Sequence, residues 1–233
     1  MANINKFDHD KHARTKDEKD FWGQIRRTVQ GKAVEEGQIN MIVDRITEQL
    51  SFQKSDSLLD LACGNGALAS RIFNLIDSYT GVDFSKTLIE IANKYFASPP
   101  DYSFVHSDAS EYVDKLPKNS NFNKLLCYGS FSYFSDDSAV DILQKVFNYH
   151  PLVSHFFIGN LPDRDLAAEF YGSKNINQEE LSDHESPIGI WRSSDEFVEL
   201  AISCGWQAEL SRMPDNYYAS HYRYDVLLTR SQA

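Results

Sequence analysis

Short apolar segments alternate with amphipathic ones along most of this chain, and that alternation limits the fold more than any other feature. Apolar runs predict strands at Ser57–Leu61, Tyr79–Asp83, Tyr102–His106, Phe122–Tyr128 and Leu152–Ile158. Other segments carry apolar residues at helical spacing. These are Ile39, Ile42, Val43, Ile46 and Leu50; Leu88, Ile91, Ala92, Tyr95 and Phe96 behind a capping Ser85; and Val140, Leu143 and Phe147. A further helix is expected over Ala67–Asp77. Ser193 and Glu196 form a capping-box pair ahead of Phe197, Leu200, Ala201 and Cys204, with Gly205 placed to end that helix. Strand–helix alternation of this kind predicts a Rossmann-like α/β fold, a mostly parallel seven-stranded sheet with helices on both faces. Trp206–Leu210 and Tyr222–Thr229 complete the seven strands. The link between them, Ser211–His221, is too short for a helical crossover, so the final strand is expected to run antiparallel.

The 233 residues, 42% of them hydrophobic, suit one large domain with additions. Residues 1–50 are expected to form an N-terminal arm and helices that cap a site on a domain of residues 51–233. Met1–Asp20 is polar and is expected to fray until something orders it. After the fifth strand, Asn160–Ile190 loses periodicity and is rich in Asn, Asp, Ser, Gly and Pro. It reads either as a lid over the acceptor or as a solvated connection with one short helix near Leu166–Tyr171. The net charge of −11, with no Lys/Arg cluster, argues against a polyanionic partner such as DNA or RNA. Cys63, Cys127 and Cys204 sit in apolar runs with no metal-ligand spacing, so no metal is expected. No apolar run approaches the roughly 20 residues of a membrane span and the N-terminus has no apolar signal core. A cytoplasmic protein without membrane contact, monomeric or homodimeric, is expected.

The segment Leu58–Ala69 carries the chemistry. An apolar strand pattern runs into Gly64-Asn65-Gly66, where missing Cβ atoms let backbone approach a ligand at a strand's carboxyl end. Gly64 to Ala69 also satisfies G-x-G-x-x-A, the pyrophosphate turn of NAD(P)-dependent oxidoreductases, which keeps that class as an alternative. Asp60 just before the turn disfavours a pyrophosphate and favours a cation.

Asp60-Leu61-Ala62-Cys63-Gly64-Asn65-Gly66 resembles the first motif of the class I S-adenosylmethionine (SAM)-dependent methyltransferases, with Ala62 where glycine is commoner. The resemblance covers roughly residues 51–229. It implies SAM as cofactor, S-adenosylhomocysteine as product, and transfer to an oxygen or nitrogen of a small polar metabolite, a sugar being one candidate. It places Asp60, Ala62, Cys63, Gly64 and Gly66 around the turn, with Asp60 near the sulfonium and ammonium groups. Asp83, ending the second strand, is implied at the ribose, and Phe84 on the adenine. Asp108 and the Ala109 backbone N–H after the third strand are implied at the adenine edge, and Tyr128 after the fourth at the methionine end. In related small-molecule enzymes an N-terminal helix closes over the cofactor, which nominates Trp22 and Arg26; a solvated amphipathic helix is the competing reading. Tyr128-Gly129-Ser130-Phe131 occupies the place of the N/D-P-P-Y/F tetrapeptide of enzymes that methylate amino groups of DNA or glutamine.

Methyl transfer needs alignment more than a fixed set of side chains, so catalytic candidates are chosen by position. His221, His184 and Tyr133 are nominated to orient or deprotonate the acceptor, with Phe131, Phe134, Asn160, Tyr217, Tyr218 and Arg223 nearby; ordinary packing is the alternative for each. A SAM-binding scaffold without catalysis also fits the motifs. His155 is expected to be a core histidine.

Overall fold

The computed structural model describes residues 8–118, 120–172 and 176–230. Its centre is a seven-stranded sheet of β1 (Ser57–Leu61), β2 (Ser78–Asp83), β3 (Tyr102–His106), β4 (Lys124–Tyr128), β5 (His155–Pro162), β6 (Gln207–Ser211) and β7 (Arg223–Thr229). The spatial order is β3-β2-β1-β4-β5-β7-β6. The first five strands pair parallel, and β7 runs antiparallel to both β5 and β6, as the short final link requires. The chain moves outward from β1 to one side and resumes at β4 on the other. A ligand crevice therefore opens at the carboxyl ends of β1 and β4.

Period-two burial divides the core into two layers. Leu58, Leu126 and Phe157 face one apolar cluster, while Leu59, Leu125, Phe156 and Ile158 face the other. The first layer is covered by α3 (Glu36–Leu50) through Ile39, Ile42, Ile46 and Leu50, and by α4 (Lys86–Tyr95) through Ile89 and Ala92. The second is covered by α5 (Ala109–Lys115), α6 (Asp136–Tyr149) and α9 (Ser194–Ser203), the last carrying the full Ser193–Glu196 capping box.

Four expectations change. First, Ala67–Asp77 forms no α-helix but two 3₁₀ turns, Ala69–Arg71 and Phe73–Leu75. The Ser70 hydroxyl takes the Ala67 carbonyl, and the Arg71 N–H turns instead to the Leu68 carbonyl in a 3₁₀ bond. Second, the arm is ordered from Asp8 onward, residues 1–7 lying outside the described residues. Its α1 (His9–Arg14) docks on α4, where Asp10 accepts from the Ser85 hydroxyl (2.7 Å) and the Thr87 N–H (3.0 Å), supplying a helix N-terminus with a partner. Third, β5 starts three residues later than expected and continues through Asn160 to Pro162. The 160–190 insertion thus begins inside the sheet, and Ser173–Asn175 within it lie outside the described residues. Fourth, His155 is half-buried at the start of β5, with Nδ1 near Lys124 (3.0 Å) and Ser154 (2.8 Å), not in the core.

The rest of the insertion holds a short α7 (Ala167–Tyr171), the helix expected there, and α8 (Gln178–Leu181). A small hairpin, Thr28–Val29 with Lys32–Ala33, follows α2 (Phe21–Gln24). Among the described residues no helix is long and apolar enough to cross a membrane, and no cluster of His, Cys, Asp and Glu is placed to hold a metal ion.

Candidate active site

At the switch point lies a cavity of about 840 Å³, walled by strand ends, the N-terminal arm and the insertion. One end of it is acidic. Asp60 is buried at the end of β1 and its Oδ2 accepts from the Tyr79 hydroxyl at 2.9 Å. Burial pushes its carboxyl up to about 7, against that hydrogen bond and with the charge of Asp83 adding to the rise. Asp83 accepts the Gly64 N–H at 2.9 Å and the Ser85 N–H at 2.8 Å, one on each oxygen, and burial raises it to about 6. Asp108 caps α5, its Oδ1 accepting from the Ser110 and Glu111 N–H groups, while its other oxygen takes no hydrogen bond among the described residues. Phe84, 53% exposed, is a large apolar face beside Asp83.

The turn itself is tight. Gly64 adopts φ 62°, and a Cβ there would meet Ile25 at 3.0 Å. Gly66 does not face the cavity; a Cβ on it would strike the Phe104 ring at 2.6 Å, so its smallness serves helix–sheet packing. Ala62 adopts φ 58°, which explains why glycine is common at this place. Arg26 (φ 56°) and Asn160 (φ 64°) are also left-handed, and all three border the cavity. Strained backbone of this kind is typical of functional sites. Burial raises the Cys63 thiol well above its usual range, so it stays a neutral wall group.

The arm and the insertion meet over the opening. Arg26 Nη1 donates to the Pro187 carbonyl (2.9 Å), which also accepts from the Tyr133 hydroxyl (3.0 Å). Asn65, fully buried, ties the turn to the arm by donating to the Phe21 carbonyl (2.8 Å) and Gln24 Oε1 (2.7 Å). His9 lies edge-on to Tyr133 (centroids 4.8 Å) and Phe84 (6.2 Å). Burial, with Arg26 and His12 nearby, lowers it to about 4, so it is neutral at physiological pH.

The other end of the cavity is basic and aromatic. Arg27 lies over the Tyr128 ring at 5.2 Å, and Arg223 over Tyr222 at 4.8 Å. A bulge in β5 shapes this end: Ile158 pairs with Val226 but Leu161 with Tyr224, which inserts one residue and turns Asn160 inward. The Asn160 N–H donates to Asp225 (2.7 Å) and its carbonyl accepts from Arg223.

Of the nominated residues, Arg26, Asp60, Ala62, Cys63, Gly64, Asp83, Phe84, Asp108, Tyr128, Tyr133 and His184 line this one cavity. Four others do not, Gly66 under Phe104 being the first. Trp22 packs on the apolar core beneath the arm, one helical step away from the opening. His221 is exposed and leans on Tyr222 (4.8 Å) outside the cavity. The Ala109 methyl is buried under α5, which leaves only its backbone N–H, at the first helical residue, for a ligand. Phe131 and Tyr217 are buried packing groups; Phe134, Asn160, Tyr218 and Arg223 reach the wall. His9, Ile25 and Arg27 were missed, because a polar arm without periodicity gives no sign of where it docks.

Residues 58–149 match the methyltransferase domain family. Over that stretch, about two fifths of the chain, the sequence is similar to methyltransferase domains. SAM is the cofactor of such domains, and the residues present fit it: three carboxylates at successive strand ends and, at Gly64, a cavity-lining turn residue without a Cβ. The methyltransferase domain also aligns with curated relatives. Ribosomal RNA small subunit methyltransferase A of Pseudomonas fluorescens is 29% identical over 92 residues, 40% of this chain and 34% of the relative. Demethylmenaquinone methyltransferase of Staphylococcus aureus is 26% identical over 100 residues, 38% of this chain and 42% of the relative. The chain thus spans well under half the length of either. Among solved structures, magnesium protoporphyrin IX methyltransferase from Synechocystis, with bound SAM, superposes with a TM-score of 0.60 at 12% identity, covering 97% of this chain and 99% of that one. A SAM-dependent methyltransferase from Clostridium acetobutylicum gives 0.60 at 15%, covering 85% and 93%. Both show that the fold is shared.

Proposed function

We propose that this protein transfers the methyl group of SAM to an oxygen or nitrogen of a small molecule held at the basic, aromatic end of the cavity. The observation that carries this is the continuity of one cavity from Asp60, Asp83 and Asp108 to Arg223 and Tyr222. Its volume of about 840 Å³ lies high in the range of about 300–1,000 Å³ for ligand sites, room for a cofactor and a small acceptor together. SAM, when bound, supplies an already activated methyl group. The protein's part is to hold and align. Asp83 accepts from ribose hydroxyls, Asp108 and the Ala109 N–H meet the adenine edge, and Asp60 faces the positive groups of the methionine end. Arg27, beside Tyr128 and Gly129, is assigned to the methionine carboxylate in place of Arg26, whose Nη1 holds the lid through Pro187. Tyr133 and His184 stand at the acceptor side, with the neutral His9 ring edge-on to Tyr133.

Residues 8–50 act in this proposal as a cap, and the 182–190 loop as the lid. Both exclude water and fix the line of attack. An interior site of this kind suits a small molecule better than RNA, as does the net charge of −11. The test is multiple turnover with radiolabelled SAM against a panel of small hydroxy and amino compounds, alongside a ribosomal RNA fragment. Label is expected in small-molecule product, with no sub-micromolar RNA complex by filter binding at about 0.15 M salt. Label transferred to RNA alone contradicts the proposal, and SAM binding with no turnover on any acceptor supports the non-catalytic scaffold instead.

A further inference from the structure

Two guanidinium groups enter the far end of the cavity without an acid to neutralise them. Arg27 is 8% exposed, and its Nε and Nη1 are buried with no hydrogen-bond partner. Arg223 donates one N–H to the Asn160 carbonyl and otherwise rests on Tyr222. Among the described residues no carboxylate oxygen lies within 4.0 Å of either group. Asp225 feels the charge of Arg223, but its own Oδ1 is taken by the Asn160 N–H at 2.7 Å and its Oδ2 faces Arg45 at 3.9 Å. Asn160 Oδ1 is also buried without a partner at the same place.

Buried cations are ordinarily paired, because removing a charge from water is costly unless an opposite charge compensates it. Arg27, buried, and Arg223, half-buried, are left uncompensated in a cavity wall and await negative charge from whatever fills it. The methionine part of SAM brings a single carboxylate, which Arg27 is placed to take, and one cation is left over. Of the acidic side chains lining this cavity, Asp60, Asp83 and Asp108 gather at its other end, while Asp8 of the arm and Glu185 of the lid loop make no ion pair with Arg27 or Arg223 among the described residues.

We infer that the methyl acceptor carries an oxyanion, a carboxylate or phosphate, that pairs with Arg223 beside Asn160. The planar fork of Arg suits either group. Tyr133, Tyr218, Tyr222 and Phe170 line the same end, so the anion is borne on a flat, largely apolar body. The inference rests on the methyltransferase function proposed above and narrows its acceptor from a polar metabolite to an anionic one.

The test uses benzoate, phenyl phosphate and the neutral benzamide as probes of the full-length protein, titrated by ligand-observed NMR with S-adenosylhomocysteine saturating. One of the two anions is expected to bind at least tenfold more tightly than benzamide, and the tighter one names the charged group. Arg223→Gln should abolish that preference while leaving benzamide and S-adenosylhomocysteine affinities within threefold, and Arg223→Lys should retain part of it. Equal binding of charged and neutral probes, or a preference that survives in Arg223→Gln, overturns the inference. S-adenosylhomocysteine binding is measured first and alone. If it fails, the methyltransferase proposal fails by itself, and the probe comparison repeated on the unliganded protein still decides whether Arg223 reads an anion.

Discussion

The two ends of the cavity are built by different means. The acidic end comes from one stretch, residues 60–109, in which three parallel strands each finish in a carboxylate or the turn beside it. The basic end is gathered from far apart: Arg26 and Arg27 from the arm, Asn160 from a bulge, Pro187 from the insertion and Arg223 from the last strand. At the first, local sequence and parallel pairing dictate geometry. At the second, tertiary docking does. In the proposed reaction a cofactor common to many proteins meets the first end and the acceptor meets the second.

Substituting at the acidic end should give the largest effect. Asp83→Ala is expected to weaken binding of SAM and S-adenosylhomocysteine by about 1.5–3 kcal/mol, roughly 10- to 150-fold, because charge-assisted bonds to the ribose are lost. Calorimetry checks this, with thermal unfolding of the variant as a control for the lost Gly64 and Ser85 bonds. Affinity within twofold of wild type removes the ribose from Asp83.

A smaller effect separates the ends by pH. Asp60 and Asp83, raised to about 7 and about 6, titrate near neutrality, whereas Arg27 and Arg223 stay charged throughout. A cationic ligand favours the ionised carboxyls, so SAM affinity should rise between pH 6 and 8, by less than about tenfold per pH unit for one group, with protons released on binding. In the free protein the sign reverses. Folded Asp60 keeps its proton up to about 7, while the unfolded chain loses it near the ordinary carboxylate value of 3.8. Its contribution to stability is therefore present at acid pH and falls as pH rises from about 4 to 7. Asp60→Asn should flatten both dependences, read as buffer-dependent heats and as urea unfolding across pH. If wild type and variant change in parallel, Asp60 is not the group that titrates.

What was legible in the sequence follows the same division. Period-two strands, helix faces and the capping box are local signals, and the sheet, its antiparallel final strand and the carboxylates at successive strand ends all follow from them. The segment after Gly66 misled because Ile72 and Ile76, each following a 3₁₀ turn, are buried without an α-helix. Trp22 and Arg26 were nominated together, yet a four-residue helix turns one into the core and the other toward the lid. Arg27 gave no signal of its own. Its place depends on Asn65 holding Phe21 and Gln24, a contact between residues some 40 positions apart. Asn160 turns inward only because the β5 register slips by one residue against β7.

The central claim is that the acidic end receives the nucleoside of SAM. Calorimetric titration of S-adenosylhomocysteine and of NAD into the wild-type protein tests it most directly. A dissociation constant on the order of micromolar for S-adenosylhomocysteine, about −8 kcal/mol, is expected, with NAD binding absent or at least 100-fold weaker. Tight NAD binding with no heat from S-adenosylhomocysteine would contradict it.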